Sequence, residues 1–393
     1  MTKLEFLNLG KQPITNNFLK IQNPKNEFFY NLRIVFDDKT KLVSSAEFIP
    51  PEKMFNDTYA HRASMSITMQ KAYKDLSIKI KERFNPKSVL EIGSNDGIFL
   101  KNFNEANAIG VEPCKNLADI TNSMNIKTFD EYWTMALSKK IINQFGTFNL
   151  VYSANTISHI HDLNETFLAI SEVLADKGVF ILEDPSLLEV IRNTSYDQFY
   201  DEHAYVFSIT AINNLVKKTD LEIFDVELLD THGGSNRIYI KKKKNNIKIS
   251  KNISKILHEE KENGINHFET YIKFANNVKK SKYELVEIFK TLKKSNKKII
   301  GYGATYKSST ILNYCGLNNY FIDYFVDTTK NKQGKFTPGT HIPIIKPNDN
   351  IDDDINYAYL GAWNFKKEIF SKEKKYINRG GKFITHVPSP QIL

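Results

Sequence analysis

The spacing of apolar residues changes several times along the chain and predicts a succession of elements. Short alternating runs at 31–36 and 41–43 predict strands in a first region that contains no long helical period. Over 66–83, apolar side chains recur at helical spacing, which predicts an amphipathic helix. Short apolar runs then alternate with helical stretches up to about residue 240, and this alternation is typical of a doubly wound parallel sheet. The strands predicted in this sheet are 88–92, 108–111, 150–153, 179–184, 222–229 and 238–242.

A second α/β unit follows a long helical region. One or two charged helices, roughly 250–268 and 267–294, lead into an apolar strand and a glycine turn at 298–303. The strands predicted after that turn are 324–327, 357–360 and 382–384. The pattern therefore predicts three parts, which are a small N-terminal lobe (1–68), a ligand-binding α/β domain (69–248) and a C-terminal Rossmann-like α/β lobe (249–393).

The composition excludes several classes of protein. With 41% hydrophobic and 25% charged residues among 393, the chain is neither disordered nor fibrous. No apolar run approaches the roughly 20 residues that span a bilayer, and the N-terminus lacks the apolar core of a signal peptide. We therefore expect a cytoplasmic protein without a membrane partner.

The formal charge of +9 suits either a nucleic acid or a small anionic ligand. Because the lysines are scattered rather than gathered into a basic, aromatic stripe, we expect no nucleic-acid partner. The two cysteines, Cys114 and Cys315, cannot form a four-thiolate zinc site or a disulfide framework. No metal is expected.

The segment Val89-Leu90-Glu91-Ile92-Gly93-Ser94-Asn95-Asp96-Gly97 carries the most informative motif. Gly93 lets the backbone turn sharply beside a ligand, and a helix is predicted over 98–103. A phosphate-binding turn avoids carboxylates, so Glu91 and Asp96 favour a cation or a hydroxyl-rich ligand, which describes S-adenosylmethionine. Glu112, sixteen residues after Asp96, ends the next strand, where it can accept ribose hydroxyls.

These two motifs together resemble the class I S-adenosylmethionine-dependent methyltransferases. The resemblance implies the doubly wound sheet of that class and S-adenosylmethionine as the cofactor. The predicted cofactor-binding residues are Gly93, Ser94, Asn95, Asp96, Glu112, Pro113 and Asn155.

Two later segments carry candidate catalytic side chains. Asn155 and His159 follow the strand 150–153, and ligands of open α/β sheets lie at the carboxyl ends of the strands. Tyr200, Glu202 and His203 lie close together further along the chain. His203 is a candidate general base because imidazole titrates near working pH, and Tyr200 or Glu202 could orient it or contact the substrate.

Neighbouring residues in these segments carry simpler interpretations. Asp197 and Gln198 are interpreted as capping a turn. His232-Gly233-Gly234 predicts a tight turn over the pocket.

The chain resembles, over nearly its whole length, the nucleotide-sugar C-methyltransferases that act at carbon 3 of 4-keto deoxysugars. The matching segments are LGKQPITNNF, EFIPPEKMF, VLEIGSNDGIFL, ANTISHI, EDPSLLEVI, YDQFYDEHAYVFS, HGGSNRIYI, GYGATYKSSTILNYCGL and FVDTTKNKQGKFTPGTHIPI. The resemblance implies that His203 is the base and that Tyr200, Glu202, His159 and Asn155 share its site. It also implies a nucleotide-sugar substrate in contact with Tyr59 and Asn155.

The glycine turn of the last lobe predicts an anion site. It leads into a helix N-terminus that carries Lys307 and Ser308, with no competing carboxylate in the turn. The diphosphate of a nucleotide sugar is the expected ligand of these two residues.

One departure from the family concerns zinc. The family binds zinc in its first lobe through two pairs of cysteines, but Asp37 and Thr40 stand where the second pair would fall, and the first pair has no counterpart. We therefore expect packing, rather than a metal, to hold this lobe.

Two other functions remain open at this stage. One is a sugar O-methyltransferase that acts on a nucleotide-linked sugar, and the other is a catalytically silent protein that binds S-adenosylmethionine. A monomer or a small homo-oligomer is expected.

Overall fold

The computed structural model describes residues 3–22, 24–103, 106–348 and 351–393. Its strands, in chain order, are β1 (Lys3–Pro13), β2 (Phe29–Asp37), β3 (Val43–Ser45), β4 (Ser88–Ile92), β5 (Asn107–Val111), β6 (Thr128–Phe129), β7 (Phe148–Ala154), β8 (Leu174–Pro185), β9 (Tyr205–Val206), β10 (Leu221–Leu229), β11 (Ser235–Lys242), β12 (Ile299–Tyr302), β13 (Phe325–Val326), β14 (Ile344–Ile345), β15 (Tyr357–Leu360), β16 (Lys382–Thr385) and β17 (Gln391–Ile392). Its α-helices are α1 (Ile67–Phe84), α2 (Lys115–Ser123), α3 (Met135–Phe145), α4 (Leu163–Val173), α5 (Leu187–Asn193), α6 (Ile209–Val216), α7 (Lys251–Glu262), α8 (Phe268–Lys294), α9 (Tyr306–Cys315), α10 (Lys366–Lys372) and α11 (Lys374–Asn378). None of the helices within these ranges is long and apolar enough to cross a membrane.

The central sheet has seven strands in the order β10-β11-β8-β7-β4-β5-β6. The strands β4, β5, β6, β7 and β8 are all parallel to one another. β11 is antiparallel to both β8 and β10. β5 and β7 lie on opposite sides of β4, so the strand order reverses there and a crevice opens at the carboxyl ends of these strands. The doubly wound α/β fold predicted from the sequence is confirmed.

Two smaller sheets flank the central one. The N-terminal sheet is antiparallel, in the order β1-β2-β3-β9, and its last strand begins two residues after His203. The C-terminal sheet has the order β14-β13-β12-β15-β16-β17 and is parallel except for β17. The segment around His203 therefore joins the central domain to the N-terminal sheet.

One apolar cluster connects the N-terminal and C-terminal sheets with helix α5 and the segment before His203. The long helix α8 buries Tyr271 and Phe274 against Phe6 and Phe36 of the N-terminal sheet, and Phe199 completes this group. Burying an aromatic side chain stabilises a fold by about 1.5–3 kcal/mol. The cluster therefore holds the segment before His203 against both outer lobes.

Several elements differ from the sequence prediction: β6, β9, β14 and β17 were not predicted, and β11 is antiparallel in a sheet that was predicted to be parallel. The helix predicted over 98–103 is wrong, because the chain forms turns and a short 3-10 helix, Leu100–Asn102. Ile98, Phe99, Leu100 and Phe103 are all buried and only Lys101 of this segment is exposed, so the segment offers too little polar surface for an amphipathic helix. The N-terminal strand β1 was not predicted, and register shifts interrupt its pairing with β2.

The hairpin turn between β2 and β3 closes through a carboxylate rather than a metal. One carboxylate oxygen of Asp37 accepts the backbone N–H groups of Lys39 and Thr40, at 2.9 and 3.0 Å. The residues present do not fit a zinc site, because this turn contains no cysteine and the Asp37 oxygen already binds two amides. Among the described residues, no group of three or more histidine, cysteine or carboxylate side chains could hold a metal ion.

We expect Asp37→Ala to lower the free energy of unfolding by about 1–2 kcal/mol, because two amides that bind a buried carboxylate lose their acceptor. The matched control is Asp38→Ala, since Asp38 makes only an exposed ion pair with Lys41 and should cost less than about 1 kcal/mol. Urea unfolding of both variants, with and without EDTA, measures the difference. A loss of stability caused by EDTA alone would contradict this account of the turn.

Candidate active site

The glycine turn after β4 is shaped by close packing. Gly93 adopts φ +77°, and a Cβ atom there would lie 2.0 Å from the hydroxyl oxygen of Thr156. The carbonyl of Val111 accepts the N–H groups of Gly93 and Ser94, at 2.8 and 3.0 Å. The turn therefore lies against the end of β5 on one side and against the loop after β7 on the other.

Glu112 fixes the shape of this turn. Its two carboxylate oxygens accept the backbone N–H groups of Asn95 and Cys114, each at 2.9 Å. Burial raises the pKa of Glu112, although these amide hydrogen bonds oppose the shift. The contact of Glu112 with ribose hydroxyls stays a prediction. In the structure, Glu112 stabilises the turn through its hydrogen bonds to Asn95 and Cys114.

A strap over residues 61–64 covers the turn. The side chain of Asn95 accepts the N–H of Ala63 at 2.9 Å and donates to the carbonyl of His61 at 3.2 Å. The carboxylate of Asp96 accepts both the N–H and the hydroxyl of Ser64. Two of the predicted cofactor-binding side chains thus bind the strap.

The charges around the turn fit a cationic ligand. Glu91 is buried, and its Oε2 atom has no hydrogen-bond partner among the described residues. Burial, together with repulsion from Glu112 and Asp96, raises the pKa of Glu91. Three carboxylates gathered at one strand end would be stabilised by a positive group, and S-adenosylmethionine carries both a sulfonium and an ammonium.

The remaining predicted cofactor residues lie around the same crevice. Ser94 is buried behind the turn, and Pro113 is half-buried after β5. Asn155 adopts φ +49°, and its N–H donates to the carbonyl of Glu183 at 2.8 Å. A cavity of about 240 Å³ lies beside Asn155 and is lined by Tyr73 of α1, by Glu183 and by Arg237.

His203 and Tyr200 form a hydrogen-bonded pair. Nδ1 of His203 lies 2.7 Å from the carbonyl oxygen of Gln198, and Nε2 lies 2.8 Å from the Tyr200 hydroxyl. Because a carbonyl oxygen only accepts, Nδ1 carries the proton in this arrangement and the lone pair of Nε2 faces Tyr200. The ring is held in the tautomer that a base acting through Nε2 requires.

His159 lies beside this pair. Its ring centroid is 5.3 Å from that of His203, and its other face stacks on Phe55 at 5.4 Å. Burial, together with the nearby charge of His61, lowers the pKa of His159 to about 3. His159 is therefore neutral near pH 7, and its Nε2 has no hydrogen-bond partner among the described residues.

Glu202 lies between the central domain and the N-terminal lobe. It accepts hydrogen bonds from the hydroxyl of Tyr59, at 3.2 Å, and from the side-chain amide of Asn16. The neighbouring Asp201 accepts the hydroxyl of Thr15 at 2.6 Å. Burial, with repulsion from Asp201, raises the pKa of Glu202, and burial also raises that of Asp201.

The raised pKa values of Asp201 and Glu202 make the stability of the protein depend on pH. A carboxyl whose pKa is raised by folding keeps a proton that the unfolded chain releases, so its contribution is present at low pH and lost as pH rises. We expect the free energy of unfolding to fall between about pH 5 and pH 8, and to fall less steeply in Glu202→Gln, whose side chain cannot ionise. Urea unfolding at several pH values measures both slopes. The exposed Glu47→Gln should leave the slope unchanged, and equal slopes in Glu202→Gln and the parent protein would contradict the assignment.

The structure adds residues that the sequence analysis did not single out. The ring of Tyr306 lies 4.9 Å from that of Tyr200 and 6.3 Å from that of His61. Tyr306 is the first residue of α9, directly after the glycine turn of the C-terminal lobe, so its position next to Lys307 was the available signal. Asn16 gave no such signal, because only the docking of the N-terminal lobe brings it to Glu202.

The two predicted anion contacts of the C-terminal lobe are buried. The hydroxyl of Ser308 accepts the backbone N–H of Thr305, the N-cap residue of α9, as part of a capping box. Burial lowers the pKa of Lys307 to about 8, although Asp197 opposes the shift. The turn predicted near Gly233 is present as a 3-10 helix, but the side chain of His232 lies outside the described part of the structure.

Three protein-family models match the chain. The "C-methyltransferase C-terminal domain" matches residues 230–388, the "Methyltransferase domain" matches 62–226, and the "Putative zinc binding domain" matches 1–55. The last match covers the N-terminal lobe, in which the resembling family binds zinc. In this chain, the residues of the Asp37 turn do not fit a zinc site.

A curated relative matches almost the whole chain. The C-methyltransferase NovU of Streptomyces niveus is 30% identical over 395 residues, which cover 99% of this chain and 94% of that protein.

Two solved structures resemble about half of the chain. An S-adenosylmethionine-dependent methyltransferase from Clostridium acetobutylicum is 16% identical, with a TM-score of 0.34, and covers 44% of this chain and 91% of its own. The PH0226 protein of Pyrococcus horikoshii is 17% identical, with a TM-score of 0.37, and covers 50% of this chain and 100% of its own. These likenesses carry no argument about the reaction, whereas the match along the whole chain does. The chain belongs to the family of C-methyltransferases.

Proposed function

We propose that the protein methylates carbon 3 of a nucleotide-linked 4-keto deoxysugar. The observation that carries this proposal is the hydrogen-bonded pair of Tyr200 and His203. The ring of His203 also lies beside that of the neutral His159. A ketone at carbon 4 acidifies the proton on carbon 3, and a neutral imidazole is a suitable base for removing it near pH 7.

The proposed steps use side chains that already lie together. The Tyr200 hydroxyl turns its hydrogen bond from Nε2 of His203 to the oxygen on carbon 4, Nε2 takes the proton from carbon 3, and the electron pair of the C–H bond passes into an enolate. A hydrogen bond from His159 or Tyr200 stabilises the enolate oxygen, and such a donor contributes about 3–4 kcal/mol. When bound, S-adenosylmethionine supplies the electrophilic methyl group to carbon 3, and Glu91, Gly93 and Glu112 are the residues that would hold it.

The proposed substrate contacts come from all three parts of the chain. Tyr59 reaches Glu202 from the N-terminal lobe, and Asn155 lies at the end of β7. On the C-terminal lobe, Lys307 and Ser308 lie in the first turn of α9, where a diphosphate would meet the positive end of the helix dipole. The hydroxyl of Ser308 is occupied by the capping box, so Lys307 provides the main charge in this proposal.

Family membership supports a carbon acceptor over the sugar-hydroxyl alternative and over a silent binding protein. The test incubates the protein with S-adenosylmethionine and a panel of 4-keto-6-deoxy nucleotide sugars in heavy water, followed by mass spectrometry. We expect a gain of one methyl group and deuterium exchange at carbon 3. Methyl gain without exchange would indicate a hydroxyl acceptor, and the absence of both signals despite cofactor binding would reject the sugar substrate.

A further inference from the structure

The short 3-10 helix Tyr196–Gln198 lies between the C-terminal lobe and His203. Its last carbonyl, that of Gln198, is the acceptor of the Nδ1–H of His203 at 2.7 Å. Its first two side chains point the other way, into the C-terminal lobe, where the Tyr196 hydroxyl lies 3.9 Å from the sulfur of Cys315. One face of this turn therefore binds the proposed base, and the other binds a different lobe.

Asp197 makes the strongest of these contacts with the C-terminal lobe. Its side chain is 0% exposed, and its Oδ2 atom accepts the indole N–H of Trp363 at 2.6 Å. Nε2 of His386 lies 3.5 Å from the same oxygen. Burial raises the pKa of Asp197, but His386, Lys307 and the bond from Trp363 lower it by more, so the carboxylate stays charged.

The partners of Asp197 are themselves fixed in position. A Cβ atom at Gly233 would lie 2.2 Å from the ring of Trp363, so the indole packs directly on that backbone. Nδ1 of His386 lies 3.2 Å from the hydroxyl of Tyr359, which is buried in β15. A carboxylate that accepts a hydrogen bond from this packed indole and faces this imidazole has little freedom to rotate.

We propose that Asp197 is a positioning residue that sets the orientation of His203. Asp197 anchors the segment 196–198 to Trp363 and His386. This segment then holds the Gln198 carbonyl against Nδ1 of His203. The C-terminal lobe thereby acts on the base as well as offering a surface for substrate. This inference rests on the proposed role of His203, which the experiment below keeps separate.

The test compares Asp197→Asn and Trp363→Phe in the full-length protein. Asp197→Asn removes the charge at nearly constant shape, and Trp363→Phe removes only the indole donor if the first variant does not fold. Proton–nitrogen NMR of ¹⁵N-histidine-labelled protein reports the Nδ1–H of His203, with the signal assigned by its loss in His203→Gln. We expect both variants to shift or broaden this signal and to lower kcat by about ten-fold or more, because small misplacements of a reacting group have large effects. KM for S-adenosylmethionine should stay within about two-fold, since the cofactor turn is unaffected.

Glu373→Gln is the matched control. Glu373 is also buried in the C-terminal lobe and also accepts one hydrogen bond from an aromatic side chain, the Tyr302 hydroxyl at 2.7 Å. It should lower stability without changing the His203 signal or kcat. An unchanged His203 signal in folded Asp197→Asn and Trp363→Phe would overturn the proposal. Because the NMR signal needs no turnover, this outcome is distinct from a failure of the sugar substrate.

Discussion

His203→Ala is expected to abolish deuterium exchange at carbon 3 and to lower the rate of methyl transfer by about 10²–10⁴-fold. The physical reason is that Nε2 is the basic atom of a ring whose Nδ1–H is already committed to the Gln198 carbonyl. Mass spectrometry in heavy water measures exchange, and a methylation assay measures transfer. Calorimetry should show that the variant still binds S-adenosylmethionine, because Gly93 and Glu112 are unchanged.

His159→Ala separates the two candidate bases. Loss of His159 should lower the rate because the enolate oxygen loses a hydrogen-bond donor, while His203 can still remove the proton. His159→Ala should therefore keep measurable deuterium exchange. Loss of exchange in His159→Ala, with exchange retained in His203→Ala, would contradict the assignment and make His159 the base. His258→Ala controls for the loss of a histidine as such, since His258 is exposed on α7.

The positions of several candidate site residues could be predicted from the sequence because these residues follow strand ends. Gly93, Glu112 and Asn155 come directly after β4, β5 and β7, and parallel strands place their carboxyl ends at one edge. The apolar runs that mark these strands are visible without any tertiary information. The prediction of the doubly wound sheet depended on the same runs.

The sequence could not reveal contacts that arise when lobes dock. Asn16 reaches Glu202 across 186 residues, and Trp363 reaches Asp197 across 166. Neither contact has a local pattern, since each side chain lies in an ordinary turn of its own lobe. Asp197 and Gln198 were interpreted as turn caps for this reason, whereas the structure shows Asp197 bound to another lobe and the Gln198 carbonyl bound to His203.

The failed helix prediction at 98–103 has a different cause. Helical spacing of apolar residues predicts a helix when one face is polar, but here four of the six residues are buried under α1 and the central sheet. The positive φ angles of Asn95 and Gly97 also turn the chain just before it. The cofactor turn is therefore held by hydrogen bonds and packing from its neighbours rather than by a following helix.

Gly93→Ala is expected to abolish cofactor binding and to lower the free energy of unfolding by about 2–5 kcal/mol. The left-handed φ of +77° costs an alanine about 1–2 kcal/mol. Forcing its Cβ against Thr156 adds an overpacking cost of about 1–3 kcal/mol. Calorimetric titration with S-adenosylmethionine and urea unfolding measure the two effects.

Gly316→Ala isolates the backbone part of this cost. Gly316 ends α9 in the left-handed region, with a φ of +68°, and a Cβ there meets no atom within 4 Å. The variant should lose only about 1–2 kcal/mol and keep cofactor binding. Adding Thr156→Gly to Gly93→Ala removes the three side-chain atoms that a Cβ at position 93 would meet and should restore part of the stability. Equal destabilisation of Gly316→Ala and Gly93→Ala, or no gain in the double variant, would contradict the idea that contact with Thr156 requires glycine at position 93.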